Sequence, residues 1–308
     1  MEFKRLRELG YEIHTNPYRR KLTEQEVQSL VQDDVVAMIA GVEPLTRDVF
    51  SKASKLKVIS RCGMGLDSID LAAAEEYGVL VYNTPDAPVQ AVAELTLGMM
   101  LSLLRHIARA DRGIRAGHWR AHMGGLLAAR IVGLVGYGRI GRKVAELLRG
   151  FQARILACDK SPPAVSPPGV TFCDLESLLA VSDIVSLHVP YEPATRHLID
   201  ARRLGMMKAG AMLINTSRGG LIDESALYEA LRDGHLAGAA LDTFDNEPYR
   251  GPLIGIEQVV LTAHMGSYAE ESRARMEKEA AANLLAGLVA KRLIVQEGEC
   301  IDTQATKL

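Results

Sequence analysis

Residues 131–141 read Ile-Val-Gly-Leu-Val-Gly-Tyr-Gly-Arg-Ile-Gly, an apolar run that passes directly into Gly136-x-Gly138-x-x-Gly141. A helical pattern follows, with Val144, Leu147 and Leu148 recurring on one side, so the segment reads as strand, turn and helix. Each glycine answers a physical need of a dinucleotide loop. Gly136 makes the tight turn, Gly138 lets the backbone approach a pyrophosphate, and Gly141 allows close packing of helix on strand. The helix N-terminus then offers N–H donors and the positive end of its dipole to the phosphates. A second apolar strand ends at Asp159, about 20 residues on, where a carboxylate accepts the ribose hydroxyls and repels a 2′-phosphate. NAD is therefore expected in preference to NADP.

Outward from this unit, short β-rich runs alternate with helical patterns along the chain, the signature of an α/β protein with parallel strands. Seven strands surround the glycine loop: Ile131 to Val135, Arg154 to Cys158, Val170 to Phe172, Ile184 to Leu187, Ala211 to Asn215, Gly238 to Leu241 and Val259 to Leu261. They make a complete Rossmann-type doubly wound sheet. Before them stand four more, Tyr11 to His14, Val35 to Ala40, Leu56 to Ser60 and Val79 to Tyr82, with helices from Thr23 and Ser68. The turn-rich stretch Asn83 to Pro88 suits a boundary. The expected division is residues 1–83 for a smaller, discontinuous domain and 84–267 for the dinucleotide domain. The last helix, from about Ala269 to Ala290, crosses back so that 268–308 rejoins the first.

Composition narrows the function. The chain has 308 residues, 48% hydrophobic and 24% charged, with 36 Lys and Arg against 38 Asp and Glu. This balance suits two buried cores and leaves no electrostatic footprint for nucleic acid or an anionic membrane. The most apolar segment, Val92 to Leu104, carries Glu94, is shorter than the ~20 residues a span needs and reads as a buried helix. Cys62, Cys158, Cys173 and Cys300 lack metal-ligand spacing, and Met1 to Gly10 has no signal-peptide pattern. A reducing, cytoplasmic setting without a disulfide scaffold is expected. His118 and His122, spaced for one helix face, have no third ligand nearby, so no metal site is assigned. Trp119 is read as an anchoring contact.

Three segments place polar residues just after strands of the second sheet, where ligand crevices form. They are Asn215 to Gly220 with Arg218, Asp242 to Pro248 with Glu247, and Leu261 to Ser267 with His264. An arginine after a buried strand grips a carboxylate through two parallel hydrogen bonds. With Ile59 to Asp70, Val92 to Leu97, His188-Val189-Pro190, Met207 to Glu224 and Gly238 to Pro248 in order, the chain resembles the D-isomer-specific 2-hydroxyacid dehydrogenases, in their phosphoglycerate dehydrogenase-like branch.

The resemblance implies that Arg218, Glu247 and His264 occupy the catalytic positions. His264 would donate a proton as hydride reaches a 2-keto carbon, Glu247 would orient it, and Arg218 would hold the substrate. It further implies that Arg139, Ile140, Val189, Thr216, Ser217, Asp242 and Gly266 line the NAD site with Gly136, Gly138, Gly141 and Asp159. Asp242 would lie on the nicotinamide side. Arg61 and the turn Gly63-Met64-Gly65 would bind the substrate between the two domains, the first of which would be flavodoxin-like. A homodimer is implied as well. The first-choice substrate pair is 3-phosphoglycerate and phosphohydroxypyruvate, with Arg19 and Arg20 as possible phosphate ligands. Hydroxypyruvate or glyoxylate reduction is the alternative, because Ala40 and Gly41 stand where phosphoglycerate enzymes commonly place an arginine. A non-catalytic, NADH-sensing binder of the same fold is the competing class. The family's opening strand has no counterpart ahead of Arg5 to Leu9, and its loss would leave sheet edges to be satisfied otherwise.

Overall fold

A computed structural model describes residues 2–32 and 34–294; Cys300 and residues 295–308 of the expected return segment lie outside the described residues. The chain divides into two compact units, residues 89–269 and the residues up to Pro88 together with those from Glu270.

In the discontinuous unit, α1 (Glu2–Glu8) and α2 (Glu24–Leu30) precede β1 (Ala37–Ala40), α3 (Arg47–Lys52), β2 (Val58–Arg61), α4 (Leu71–Glu76) and β3 (Leu80–Asn83). The sheet is parallel in the order β1-β2-β3, with Ala40 beside Arg61 and Arg61 beside Asn83. Thr23 starts α2 through a capping box: its hydroxyl accepts the Glu26 N–H, and the Glu26 carboxylate accepts the Thr23 N–H at 2.8 Å. Leu45, Phe50, Ile59 and Ala73 form the core on one face of the sheet. On the other, Val58 packs with Leu6, Leu284 and Leu288, the last two from the closing helix Glu270–Ala290.

Three expectations need correction here. Tyr11 to His14 is not a strand: Tyr11 and Ile13 pack into the cluster around Val58 and Leu284, and the Tyr11 hydroxyl donates to Leu293 O at 3.1 Å. Their alternation is satisfied by burial alone, without a ladder. Helix α4 starts at Leu71 rather than Ser68, because residues 68–70 stay extended beside Leu45, exchanging hydrogen bonds of 2.7 and 2.8 Å with it, and Asp70 provides the cap. The division falls after Pro88 rather than Asn83. Thr84 exchanges hydrogen bonds with Gly63, and Ala87 packs with Cys62, Met276 and Ala280 while accepting from Ser272.

The other unit runs α5 (Val89–Leu104), α6 (Ile107–Arg115), β4 (Ile131–Val135), α7 (Arg139–Arg149), β5 (Arg154–Cys158), β6 (Val170–Phe172), α8 (Leu175–Val181), β7 (Ile184–Leu187), α9 (Ala201–Met206), β8 (Met212–Asn215), α10 (Glu224–Arg232), β9 (Gly238–Leu241) and β10 (Val259–Leu261). Its seven parallel strands lie in the order β10-β9-β8-β7-β4-β5-β6. The order reverses between β4 and β7, so the crevice expected of a doubly wound sheet opens at their carboxyl ends, where the glycine loop and His188 stand. Leu178, Leu204, Leu227 and Leu231 cover one face of the sheet; Met100, Leu104, Val144 and Leu148 cover the other. Burying both faces explains why these strands read as continuous apolar runs rather than alternating ones.

Helix α5 is the buried helix foreseen in Val92 to Leu104. Among the described residues no single helix is long and apolar enough to cross a membrane; α5 and α6 meet that test only as a pair bent by 63°. Residues 118–126 are irregular, so His118 and His122 do not share a helix face. Trp119 is 92% exposed and anchors nothing among the described residues.

Candidate active site

Gly136 leaves β4 with φ +100°, a conformation that disfavours any residue with a Cβ, and a Cβ there would lie 2.5 Å from His188 O. Gly141 packs equally close, its would-be Cβ 2.2 Å from Gly136 O, so the helix start is pressed onto the turn. Gly138, the N-cap of α7, has no atom within 4 Å of its would-be Cβ. The loop is thus closed on its protein side and open at Gly138, a cradle that a Cβ would fill and a pyrophosphate fits. Arg139 and Ile140 form the first turn of α7.

Asp159 follows β5. Its Oδ2 accepts the Tyr137 N–H at 2.6 Å and its Oδ1 the Ser161 N–H at 2.8 Å, which ties the acid to the glycine loop. Val189 closes the loop from the β7 side, its Cγ1 2.9 Å from the would-be Cβ of Gly136. Thr216 is buried against Thr96, hydroxyl to hydroxyl at 2.9 Å, and the Ser217 hydroxyl donates to Leu187 O at 2.8 Å. His188 Nε2 lies 2.9 Å from the Ser186 hydroxyl, and Nδ1 is enclosed without a partner. Although the residue as a whole is half-buried, desolvation of its ring pushes His188 down to about 4, so it is neutral near pH 7. These groups fit a dinucleotide.

The chemical centre assembles on the exits of β8, β9 and β10. Arg218 follows β8, with one guanidinium nitrogen donating to Ser217 O at 2.8 Å and its own carbonyl accepting from Asn215 Nδ2. Glu247 brackets His264 Nδ1 with its two oxygens at 3.0 and 2.9 Å, and also accepts the Phe244 N–H at 3.1 Å. His264 has φ +49°. That conformation costs a non-glycine residue about 1 kcal/mol and persists where neighbours fix it.

Asp242 is the neighbour that does so. At 1% exposure, its Oδ1 accepts from Thr262 Oγ1 at 2.6 Å and Met265 N at 2.8 Å, its Oδ2 from Gly266 N at 2.8 Å, and its carbonyl from His264 N at 2.7 Å. The turn that carries His264 is wrapped around one buried carboxylate. The sequence reading gave Asp242 a cofactor role and missed this one, since its partners lie 20 to 24 residues away along the chain.

In the other unit, Gly63 N donates to Thr84 Oγ1 at 2.8 Å, and Asn83 Nδ2 donates to Met64 O at 2.8 Å, so the Gly63 to Gly65 turn is tied to the exit of β3. Arg61 is 8% exposed, donates to Cys62 O, and lies along Gly63, whose would-be Cβ its guanidinium overlaps. It supports the turn from behind. Arg20 holds Glu26 through both terminal nitrogens at 2.9 and 2.6 Å. Bonding from Arg20, then from the Thr23 N–H, pulls Glu26 down to about 2. At the exit of β1, beside the turn, the buried Glu43 carboxylate accepts the Gly41 N–H at 2.9 Å.

Residues 97–266 match the model of the D-isomer specific 2-hydroxyacid dehydrogenase NAD binding domain. A D-3-phosphoglycerate dehydrogenase of Methanocaldococcus jannaschii is 41% identical over 82% of this chain, which spans about half (49%) of that relative's length. A hydroxypyruvate reductase of Thermotoga maritima is 39% identical over 83% of this chain and 85% of its own. The crystal structure of a glyoxylate reductase from Paecilomyes thermophila superposes with a TM-score of 0.84 at 31% identity, covering 94% of this chain and 92% of the other.

Proposed function

The chain belongs to the D-isomer-specific 2-hydroxyacid dehydrogenases, and from that premise we propose that it interconverts a small D-2-hydroxy acid and its 2-keto acid with NAD. The observation that carries this reading is the Glu247–His264 pair at 2.9 Å, set beside Arg218 and the open glycine loop of one sheet. With Nδ1 committed to Glu247, the other ring nitrogen of His264 is left to meet the substrate oxygen. Bound NADH supplies the hydride. His264 delivers the proton to the oxygen on which negative charge develops, and takes it back in the reverse direction. Glu247 fixes the ring's orientation through a charge-assisted bond. Arg218 holds the substrate carboxylate. Asp159 holds the ribose of NAD; Gly136, Gly138, Arg139, Ile140, Gly141 and Val189 hold the pyrophosphate; Thr216, Ser217, Asp242 and Gly266 border the nicotinamide side.

Phosphohydroxypyruvate is the first substrate to test. Hydroxypyruvate or glyoxylate is favoured by one observation, the buried Glu43 carboxylate at the exit of β1, where a phosphate on the substrate would be repelled. The protein acts as a cytoplasmic homodimer. A contiguous segment supports self-association, since Ile107, Ile114, Trp119, Met123 and Leu126 are all exposed, Trp119 and Met123 above 90%. NADH oxidation against phosphohydroxypyruvate, hydroxypyruvate, glyoxylate and pyruvate tests the reading. Turnover on at least one is expected; tight NADH binding with no turnover on any would favour the binding-protein class instead.

A further inference from the structure

The loop that carries Glu247 is gripped by the segment that carries Arg218. Two successive backbone N–H groups in that loop find carboxylates. Phe244 N donates to Glu247 itself, and Asp245 N donates to Glu224 Oε1 at 2.8 Å. Glu224 is the first residue of α10, a helix start fixed independently by Asp223, whose carboxylate accepts the Ser225 and Ala226 N–H groups. The peptide between Phe244 and Asp245 also meets Gly219, the residue after Arg218: a Cβ on Gly219 would lie 1.8 Å from Phe244 C and 2.1 Å from Asp245 N. Phe244 is stacked on Tyr249 at 4.3 Å between ring centres. One segment, residues 218–224, therefore both presents the arginine and sets the backbone from which Glu247 reaches His264.

We infer that Glu224 is a positioning residue for proton transfer, acting through Glu247: its carboxylate fixes the Asp245 amide and so holds Glu247 against His264. Burial pushes the Glu224 carboxyl up, against the pull of the Asp245 N–H, and the nearby Asp245 and Glu247 carboxylates add to the rise. Helix α10 gains nothing from this contact, because Asp223 already caps it. The loop is what the contact serves. The inference rests on the dehydrogenase reading above.

The test is a double-mutant cycle on the full chain, Glu224→Ala and Glu247→Ala singly and together, with Glu224→Gln as the conservative variant. Steady-state reduction of the keto acid that turns over fastest is read beside NADH affinity by fluorescence. Glu224→Ala is expected to lower kcat at least fivefold with NADH Kd within twofold of the parent. Glu224→Gln, which keeps an acceptor oxygen for Asp245 N, is expected to restore kcat to within twofold. In the Glu247→Ala background the same Glu224→Ala change is expected to cost less than twofold, because residues acting as one unit are not additive. Equal losses in both backgrounds, or no loss in the first, would overturn the inference. Amide hydrogen exchange over residues 243–247 gives a readout independent of turnover. Exchange faster in Glu224→Ala but not in Glu224→Gln supports the inference, and unchanged exchange refutes it. If wild type turns over no keto acid, the function reading fails while the exchange result still decides this contact.

Discussion

Replacing Asp242 by alanine tests how the reactive histidine is held. The carboxylate receives three hydrogen bonds, from Thr262 Oγ1, Met265 N and Gly266 N, at 2.6 to 2.8 Å and is 1% exposed. Hydrogen bonds to a charged acceptor contribute about 1.5–3 kcal/mol each, and buried donors left unpaired cost about as much. Water entering the vacated space recovers part of that, which leaves a net loss of about 3 kcal/mol. For a unit of this size each kcal/mol moves the midpoint by about 2–4 °C, so a fall of roughly 6–12 °C is expected. Without the carboxylate the turn is free to leave the φ of +49° at His264, and reduction slows at least tenfold. Thermal unfolding followed by far-ultraviolet circular dichroism, with single-turnover NADH oxidation on the same samples, measures both effects. Asp242→Asn should lie between, since its amide keeps one acceptor but turns a donor toward one of the three donors. An alanine variant that melts within 1 °C of wild type and reduces substrate at the full rate would refute the reasoning.

The glycine loop separates folding from binding. Gly138→Ala has open space for its methyl group, so the melting temperature should stay within about 1 °C while NADH Kd, read by fluorescence titration, rises at least tenfold. Gly136→Ala, with φ +100° and His188 O in the way, should lower both stability and NADH affinity. Asp159→Ala should weaken NADH binding and narrow the NADH to NADPH affinity ratio, measured by parallel titrations. His188 gives a pH signature. Burial holds its folded pKa at about 4 against the ordinary 6.5, so between these values the unfolded chain binds the extra proton and stability falls as pH falls from 6.5 to 4. Urea midpoints across that window should vary less with pH in His188→Gln than in wild type.

Much of this molecule is legible in the sequence because local pattern and global role coincide. Six of the seven strands around the glycine loop have the ends expected of them, and the seventh begins at Met212 rather than Ala211. The inner strands are short apolar runs buried on both faces and bounded by turn residues. The tight turn at Gly136 and the helix start at Thr23 are local signals as well. What escaped detection depends on partners distant in the chain. Tyr11 to His14 alternates like a strand, yet its apolar side chains are claimed by the closing helix. Trp119 looks like an anchor by residue type, and only its surroundings reveal it as exposed. Asp242 and Glu224 stand in motifs whose chemistry points to ligand and helix start. Their hydrogen bonds to the turns carrying His264 and Glu247 exist because β8, β9 and β10 end side by side. The signals were present as acids following strands or starting a helix, but which backbone N–H they would meet is a property of the sheet order.

The most direct test of the central claim is a single-turnover comparison of wild type and His264→Ala, with NADH saturating and its affinity measured separately. NADH is expected to bind both forms with Kd within about twofold while hydride transfer to the keto acid falls by about 10²-fold or more, the contribution typical of a positioned proton donor. A His264→Ala enzyme that reduces the keto acid at the wild-type rate would contradict that claim.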